Sequence, residues 1–303
     1  MKPAHLLLLI VMNVFWAGSY ASFKALAPYL DAGGIATLRF GVAAGMLVLA
    51  WPWLPGATPR GRDLLKNIAM GIAVFVCAPR LQVAGVQRGQ AGDAAVLMGL
   101  EPLITSIAAA LFLREHIGPR RWIGFALGLS GVLFMAQIWQ PDFHLPGLAA
   151  NVLFVSSFVC EAVYSVAGKP LLERAGLVKI LTIALVAGTG VNLAIDGSHS
   201  LAAVKNLPPH AWLLLFYLSA ICTVAGYIVW FVVIRVTDVS VTVLTVFLQP
   251  VIGVLIAAFV LKEALHWGQL WGCLAIILGL VIGLSRQLKT QERSSRSTPG
   301  DAH

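Results

Sequence analysis

E-P-L-I-T-S-I-A-A-A-L-F-L-R-E occupies residues 101–115, and Q-P-V-I-G-V-L-I-A-A-F-V-L-K-E occupies residues 249–263. The stretches lie 148 residues apart, with proline second in each and a base–glutamate pair at each end. At the same spacing Gly124 pairs with Gly272 and Gly131 with Gly279. A spacing of 147 relates Gln87-Arg88 and Val96-Leu97 to Ile234-Arg235 and Val243-Leu244. Lys24 and Lys169 close the first apolar run of each half. The chain is therefore read as a tandem duplication, residues 1–140 and 141–286, followed by a polar tail, 287–303, expected to be disordered.

The halves are read as membrane-spanning. Hydrophobic residues make up 59% of the 303 residues and charged residues 11%, against about 25% charged in an ordinary soluble domain. Mean hydropathy is +0.86. Too few charges remain to cover a water-exposed surface, which excludes a soluble enzyme, a disordered regulator and a nucleic-acid binder. A helix needs about 20 apolar residues to cross a hydrocarbon core. That length predicts ten spans, near 5–23, 33–51, 67–87, 93–113, 120–139, 147–168, 178–195, 211–231, 240–261 and 267–285. The seventh is the weakest, being short and holding Gly188, Gly190 and Asn192. Continuous rather than alternating apolar runs exclude a barrel. The expected fold is all-α, ten transmembrane helices as two five-helix repeats. Five is odd, so the second repeat enters the bilayer inverted, and such folds carry their substrate site near the midplane.

Charge placement orients the chain. With the N-terminus in the cytoplasm, fifteen lysines and arginines fall in inner segments and four (Lys24, Arg88, Lys205, Lys262) in outer ones. This positive-inside bias accounts for the net charge of +8 and leaves no need for a polyanionic partner. Both termini are expected to be cytoplasmic.

Trp16–Ser19 (W-A-G-S), the Leu38-Arg39-Phe40 triplet, the P-x12-E pattern of Pro102–Glu115 and Pro250–Glu263, and the Gly-x6-Gly that follows each form an ordered, duplicated set. Together they resemble the drug/metabolite transporter superfamily in its ten-helix EamA-type branch. The resemblance implies a secondary carrier of the bacterial inner membrane whose substrates are amino acids and related metabolites, usually exported. It also implies that Trp16, Tyr20, Tyr164, Tyr227 and Trp230 lie in cavity-facing spans, where rings can stack on a substrate or cation.

Charges inside spans mark the expected site, because a buried charge costs several kcal/mol unless it faces a cavity or a partner. At about 1.5 Å rise per residue, Arg39, Arg80 and Glu101 each come out about 20 Å above the inner edge. Glu161 and Gln249 fall at about 12 Å, the mirror level across the midplane. Arg80 or Arg39 would hold a carboxylate with its donor fork. Glu101 or Glu161 would meet an amino group or carry a coupled proton. The alternative for Arg80 and Glu101 is a structural ion pair with each other. Pro102 and Pro250, at matching places, are expected to kink their spans and serve a gate. Glu115 and Glu263, each beside a base at a span end, are read as cap or loop salt bridges.

The leading expectation is an alternating-access exporter of an amino acid or an amino-acid-derived zwitterion, a metallophore-like conjugate included. It would act as a monomer or homodimer in the lipid bilayer, with proton coupling, no cofactor and no metal. An importer of a vitamin- or nucleotide-like solute is the alternative within transport. An intramembrane lipid-handling enzyme would need a nucleophile–base pair or a metal cluster within a span. The seven histidines lie at span ends, loops or termini, and the four cysteines show no metal or disulfide spacing.

Overall fold

The computed structural model describes residues 2–88, 99–140, 147–259 and 265–296. Val96, Leu97, Lys262 and Glu263 lie outside them, as does the expected fourth span up to residue 98. Among the described residues all regular structure is helical. Eight helical runs are long and apolar enough to cross a membrane, and Glu101–Phe112 is a shorter apolar helix.

The helices are α1 (Pro3–Leu26), α2 (Ala32–Leu49), α3 (Arg62–Ile72), α4 (Ala78–Arg88), α5 (Glu101–Phe112), α6 (Pro119–Met135) and α7 (Leu148–Leu171). They continue with α8 (Leu177–Val204), α9 (Pro209–Phe216), α10 (Gly226–Ile234), α11 (Val239–Leu244), α12 (Leu248–Phe259) and α13 (Trp267–Arg296). Wider π-helical turns, Ala73–Cys77 and Tyr217–Ala225, join α3 to α4 and α9 to α10 into continuous rods. A 3-10 turn, Thr245–Phe247, joins α11 to α12.

Local chemistry sets several boundaries. Asp31 Oδ1 accepts from Gly34 N at 2.7 Å and caps α2. Pro3, Pro119 and Pro209 sit in first turns, where a missing N–H costs nothing. Pro102 and Pro250 stand second and third in α5 and α12, each after a turn that is not α-helical, and Pro250 falls where the 3-10 turn interrupts the run Val239–Ile256. Pro79 does interrupt a rod. It has no N–H to return to the Phe75 carbonyl four residues back, and the Asn192 side-chain amide from α8 donates to that carbonyl at 2.9 Å.

Two expectations on length are corrected. The seventh span is no short helix, for α8 runs 28 residues. Its glycines and asparagine are packing positions here: a Cβ at Gly188 would lie 2.7 Å from Phe75 Cβ, so glycine lets α8 close on the neighbouring rod. The helix α13 continues to Arg296, so ten residues of the expected disordered tail are helical.

Helix packing pairs the two halves repeatedly. The helix α6 lies along α13, α2 along α8, and α5 against α11. Beyond these, α1 packs on α12 where α5 packs on α7, and α2 packs on the second π turn where α8 packs on the first. The α6–α13 crossing is made through glycines. A Cβ on Gly124 would sit 2.9 Å from the Gly279 carbonyl oxygen, and one on Gly131 would sit 2.6 Å from that of Gly272. The largest fully buried side chains include Phe75, Phe125, Phe158, Phe231, Met70 and Leu185, which fill the bundle around one central cavity.

Candidate functional site

That cavity has a volume of about 570 Å³ and takes lining residues from both halves. Trp16 and Ser19 come from α1, Arg39 and Phe40 from α2, Pro79 and Gln82 from α4, Glu101 and Thr105 from α5. Glu161, Tyr164 and Ser165 come from α7, Tyr227 and Trp230 from α10, Val243 from α11 and Gln249 from α12.

Arg39 is half-buried and held from two sides. Its Nε donates to Thr223 Oγ1 at 2.8 Å, and its guanidinium carbon lies 5.1 Å from the Phe40 ring centre and 5.5 Å from that of Phe23. The threonine is available because it stands in the second π turn, donating its own hydroxyl to the Leu218 carbonyl five residues back. Fixing Nε leaves the two terminal amino groups of the fork as the remaining donors.

Glu161 Oε1 accepts from Gln82 Nε2 at 2.7 Å. Glu161, Tyr164 and Ser165 follow i, i+3, i+4 spacing and so share one face of α7; Glu101 and Thr105 do the same on α5. No ion pair joins Arg39, Glu101 or Glu161 to any charge among the described residues. Gln249 Nε2 donates to Asn13 Oδ1 at 3.1 Å, and Asn13 Nδ2 donates to the Leu9 carbonyl at 2.8 Å.

An aromatic wall stands beside these polar groups. Tyr227 has ring centres of Tyr164 at 4.8 Å and Trp16 at 5.9 Å, and Trp16 lies 5.9 Å from Trp230. Phe231 stacks behind Tyr164 at 4.2 Å and Phe75 backs Tyr227 at 5.3 Å. Indole N–H groups are satisfied within the bundle, Trp16 by the Cys222 carbonyl at 2.8 Å and Trp230 by Ser165 Oγ at 3.0 Å. The Tyr164 hydroxyl is buried without a hydrogen-bond partner among the described residues.

Of the residues expected at the site, Arg39, Glu101, Glu161, Gln249, Trp16, Tyr164, Tyr227 and Trp230 line this one cavity. The side chain of Tyr20 lies outside the described residues. Arg80 is the departure. It pairs through one terminal nitrogen with Asp196 of α8 and donates to Asn192 Oδ1 at 3.1 Å, and it is absent from the cavity lining. Neither the chamber nor a pair with Glu101 describes it. Depth alone does not distinguish the side of a helix that faces a cavity from the side that faces a neighbouring rod. Sequence reading missed Phe40 as a ring under Arg39, Thr105, Ser165, and Thr223 as the residue that fixes Arg39. For Ser165 the i, i+4 spacing from Glu161 carried a usable signal.

The EamA-like transporter family matches residues 4–137 and again residues 148–284. A probable terminal-alkyne amino-acid exporter of Streptantibioticus cattleyicolor is 27% identical over 297 residues, covering 96% of each chain. A probable amino-acid metabolite efflux pump of Salmonella typhimurium is 25% identical, covering 93% of this chain and 95% of that one. A riboflavin transporter of Rhizobium johnstonii is 27% identical, covering 70% of this chain and 61% of that one. A solved crystal structure superposes with TM-score 0.75 at 16% identity, covering 95% of this chain and 99% of that one, so the two share a fold. These relatives are named as transporters, not enzymes, and two separate matches to one family cover nearly the whole of a multi-pass helical bundle. The chain belongs to the EamA-like transporter family.

Proposed function

We propose that this protein is an alternating-access secondary carrier of the bacterial inner membrane, with both termini cytoplasmic, that exports an amino acid or an amino-acid-derived zwitterion. One observation carries the reading. A guanidinium and two carboxylates from different helices line the same cavity, and none has an ion-pair partner among the described residues. Charges kept unpaired in a membrane interior await a charge that arrives. The Arg39 fork takes a carboxylate bidentately. Glu101 or Glu161 takes the ammonium, or a proton when the ammonium has left, which couples transport to the proton gradient. The aromatic wall accommodates the apolar body between them. The relatives named for amino-acid export support the substrate class.

The ten-helix, two-repeat architecture belongs to the same proposal. Exchanging the halves relates several observed packing pairs to one another, α4–α7 to α1–α10 and α3–α8 to α2–α9, and maps α2–α8 and α6–α13 onto themselves. At the glycine crossing Gly124 meets Gly279 and Gly131 meets Gly272, while sequence pairs Gly124 with Gly272 and Gly131 with Gly279. Reciprocal contact of that kind is what a two-fold relation produces. With five helices in each half, the axis lies in the membrane plane.

The test is counterflow in proteoliposomes with a panel of labelled amino acids, preceded by metabolite profiling of the medium from a deletion strain to choose them. Folded wild-type protein should exchange a zwitterion, and the Arg39→Ala and Glu101→Gln proteins should not. A folded wild type that exchanges no amino-acid-type solute overturns the reading. A second reading, import of a flat vitamin-like solute, has the aromatic wall and the riboflavin-transporting relative in its favour, and the same vesicles loaded with flavin decide it.

A further inference from the structure

Glu115, between α5 and α6, lies outside the cavity lining, yet its carboxylate is the most heavily bonded one in the described structure. Its side chain is 6% exposed. Oε1 accepts from Lys169 Nζ at 2.8 Å and from the backbone N–H of Val239 at 2.8 Å. Oε2 accepts from the backbone N–H and the hydroxyl of Ser240, each at 3.0 Å. Lys169, near the end of α7, also donates to the Thr237 carbonyl at 2.8 Å. Three segments therefore meet at one carboxyl group: the end of α5 from the first half, and the end of α7 and start of α11 from the second.

The start of α11 explains why. A helix leaves its first N–H groups without intrahelical partners, and a side chain at the N-cap normally accepts from them. Asp238 holds the N-cap position here but makes no capping bond. Its carboxylate instead takes Arg121 Nη2 at 2.6 Å, and the same arginine donates to Ser240 Oγ at 2.9 Å. The missing cap is supplied by Glu115 from the other half of the molecule. A cap supplied from within a helix persists wherever that helix moves. One supplied across an interface exists only while the interface is closed.

The cavity reaches toward the opposite face. It touches Phe23, Ala32 and Ile35, beside the turn between α1 and α2. Helices that cross in alternation put that turn and Glu115 on opposite sides. The helix α11 also carries Val243 into the cavity wall and leads through the 3-10 turn to Gln249. The start of the rod is gripped at the Glu115 face while the rod itself forms part of the cavity.

We propose that Glu115 is the pin of a latch between the halves: its carboxylate, bonded to Lys169 and capping α11, holds the carrier closed on the Glu115 face, and substrate passes that face only when the cap is released. The inference rests on the carrier reading given above. It adds which face is shut in this conformation, and which residues shut it.

The experiment places a single reporter cysteine in the cavity, Thr105→Cys, in full-length protein whose four native cysteines are replaced by serine. A charged, membrane-impermeant maleimide is added from either face, in right-side-out and in inverted vesicles. Glu115→Gln, which removes the charge but keeps the shape, should raise labelling from the Glu115 face at least several-fold and lower it from the other. Lys169→Met should act in the same direction, and Glu115→Asp should fall between Glu115→Gln and the parent. Parental labelling rates in both Glu115→Gln and Lys169→Met, with the proteins folded by size-exclusion profile, overturn the latch. Counterflow in vesicles holding the wild-type protein, with Thr105 and the native cysteines in place, keeps the two readings apart: unchanged labelling with active wild-type exchange sinks the latch alone, while shifted labelling with no solute exchange by the wild type sinks the carrier reading.

Discussion

Arg39 on α2 and Arg80 on α4 start from the same sequence logic, a guanidinium inside an apolar span, and end in different company. Arg80 finds the Asp196 carboxylate and the Asn192 amide across the α4–α8 interface. Arg39 finds one threonine hydroxyl and two aromatic faces, with no carboxylate among the described residues. A buried charge that has been neutralised holds structure together, whereas one held in place by neutral groups is set to receive something. The difference lies in partners rather than in depth.

The largest effect expected from this contrast is at Arg39. Arg39→Ala removes both charged donors from the carboxylate end of the cavity, a loss of about 3 kcal/mol, or roughly 100-fold in exchange rate. Arg39→Lys should recover only part of it, because an ammonium cannot reproduce the fork. Counterflow measured on protein of unchanged melting temperature checks this, and exchange within a few-fold of wild type would put Arg39 among the structural residues with Arg80.

The complementary effect at Arg80 falls on stability. Removing one member of a buried pair costs about 3–5 kcal/mol. Here the side chains are 32% and 24% exposed, and solvent screening reduces the expectation to about 2 kcal/mol. Arg80→Ala should therefore lower the melting temperature in detergent by several degrees, with exchange retained in the folded fraction. The double variant Arg80→Ala/Asp196→Ala should melt above Arg80→Ala, since no lone carboxylate is left behind. A fully stable Arg80→Ala protein that had lost exchange would reverse the roles of the two arginines.

Asn192 sharpens the comparison at smaller scale. Its amide donates to the carbonyl that Pro79 leaves free, and its oxygen accepts from Arg80. Asn192→Ala should cost about 1 kcal/mol, one buried hydrogen bond with part of the Arg80 contact. Restoring an N–H with Pro79→Ala should recover some of that loss only if the π turn relaxes, and paired thermal melts would show the coupling.

How much of this was legible in the sequence follows from what each residue's role depends on. Glu101, Glu161, Gln249 and the aromatic residues of α7 and α10 line one cavity, and an isolated polar group in a long apolar run has few other places to go. Arg80 could not be resolved that way. Its partner Asp196 stands one residue past the expected end of the seventh span, which in the structure continues as helix to Val204, and Gly188 and Asn192 made that span look the weakest of the ten. Within the bundle they are contact points, glycine against Phe75 and asparagine on the Phe75 carbonyl. Pro250 does fall mid-span, just after the 3-10 turn that breaks the run Val239–Ile256. The Thr223 grip on Arg39 pairs residues 184 positions apart, which no local pattern encodes.

The Lys169–Glu115 pair gives the smallest expected effect, and it extends the contrast to a charge that must stay neutralised in one conformation and be freed in another. Burial pushes the Glu115 carboxyl up, but the Lys169 hydrogen bond and the two backbone amides of Ser240 and Val239 outweigh it and leave it below the ordinary carboxylate value. Lys169, Glu173, Arg114, Arg120, Arg121, Asp238 and the neighbouring His116 are the titratable or charged groups that share its recess among the described residues. A carboxyl lowered on closure contributes stability that is present above its ordinary value and lost as pH falls through the lowered one. The latch should therefore hold evenly from about pH 8 to about pH 5.5, and labelling of the cavity cysteine from the Glu115 face should stay flat across that range. Opening that set in on mild acidification would show a different group releasing the cap. A flat profile in the parent beside raised labelling in Glu115→Gln would assign release to substrate and the cavity charges, and leave Glu115 as a mechanical part.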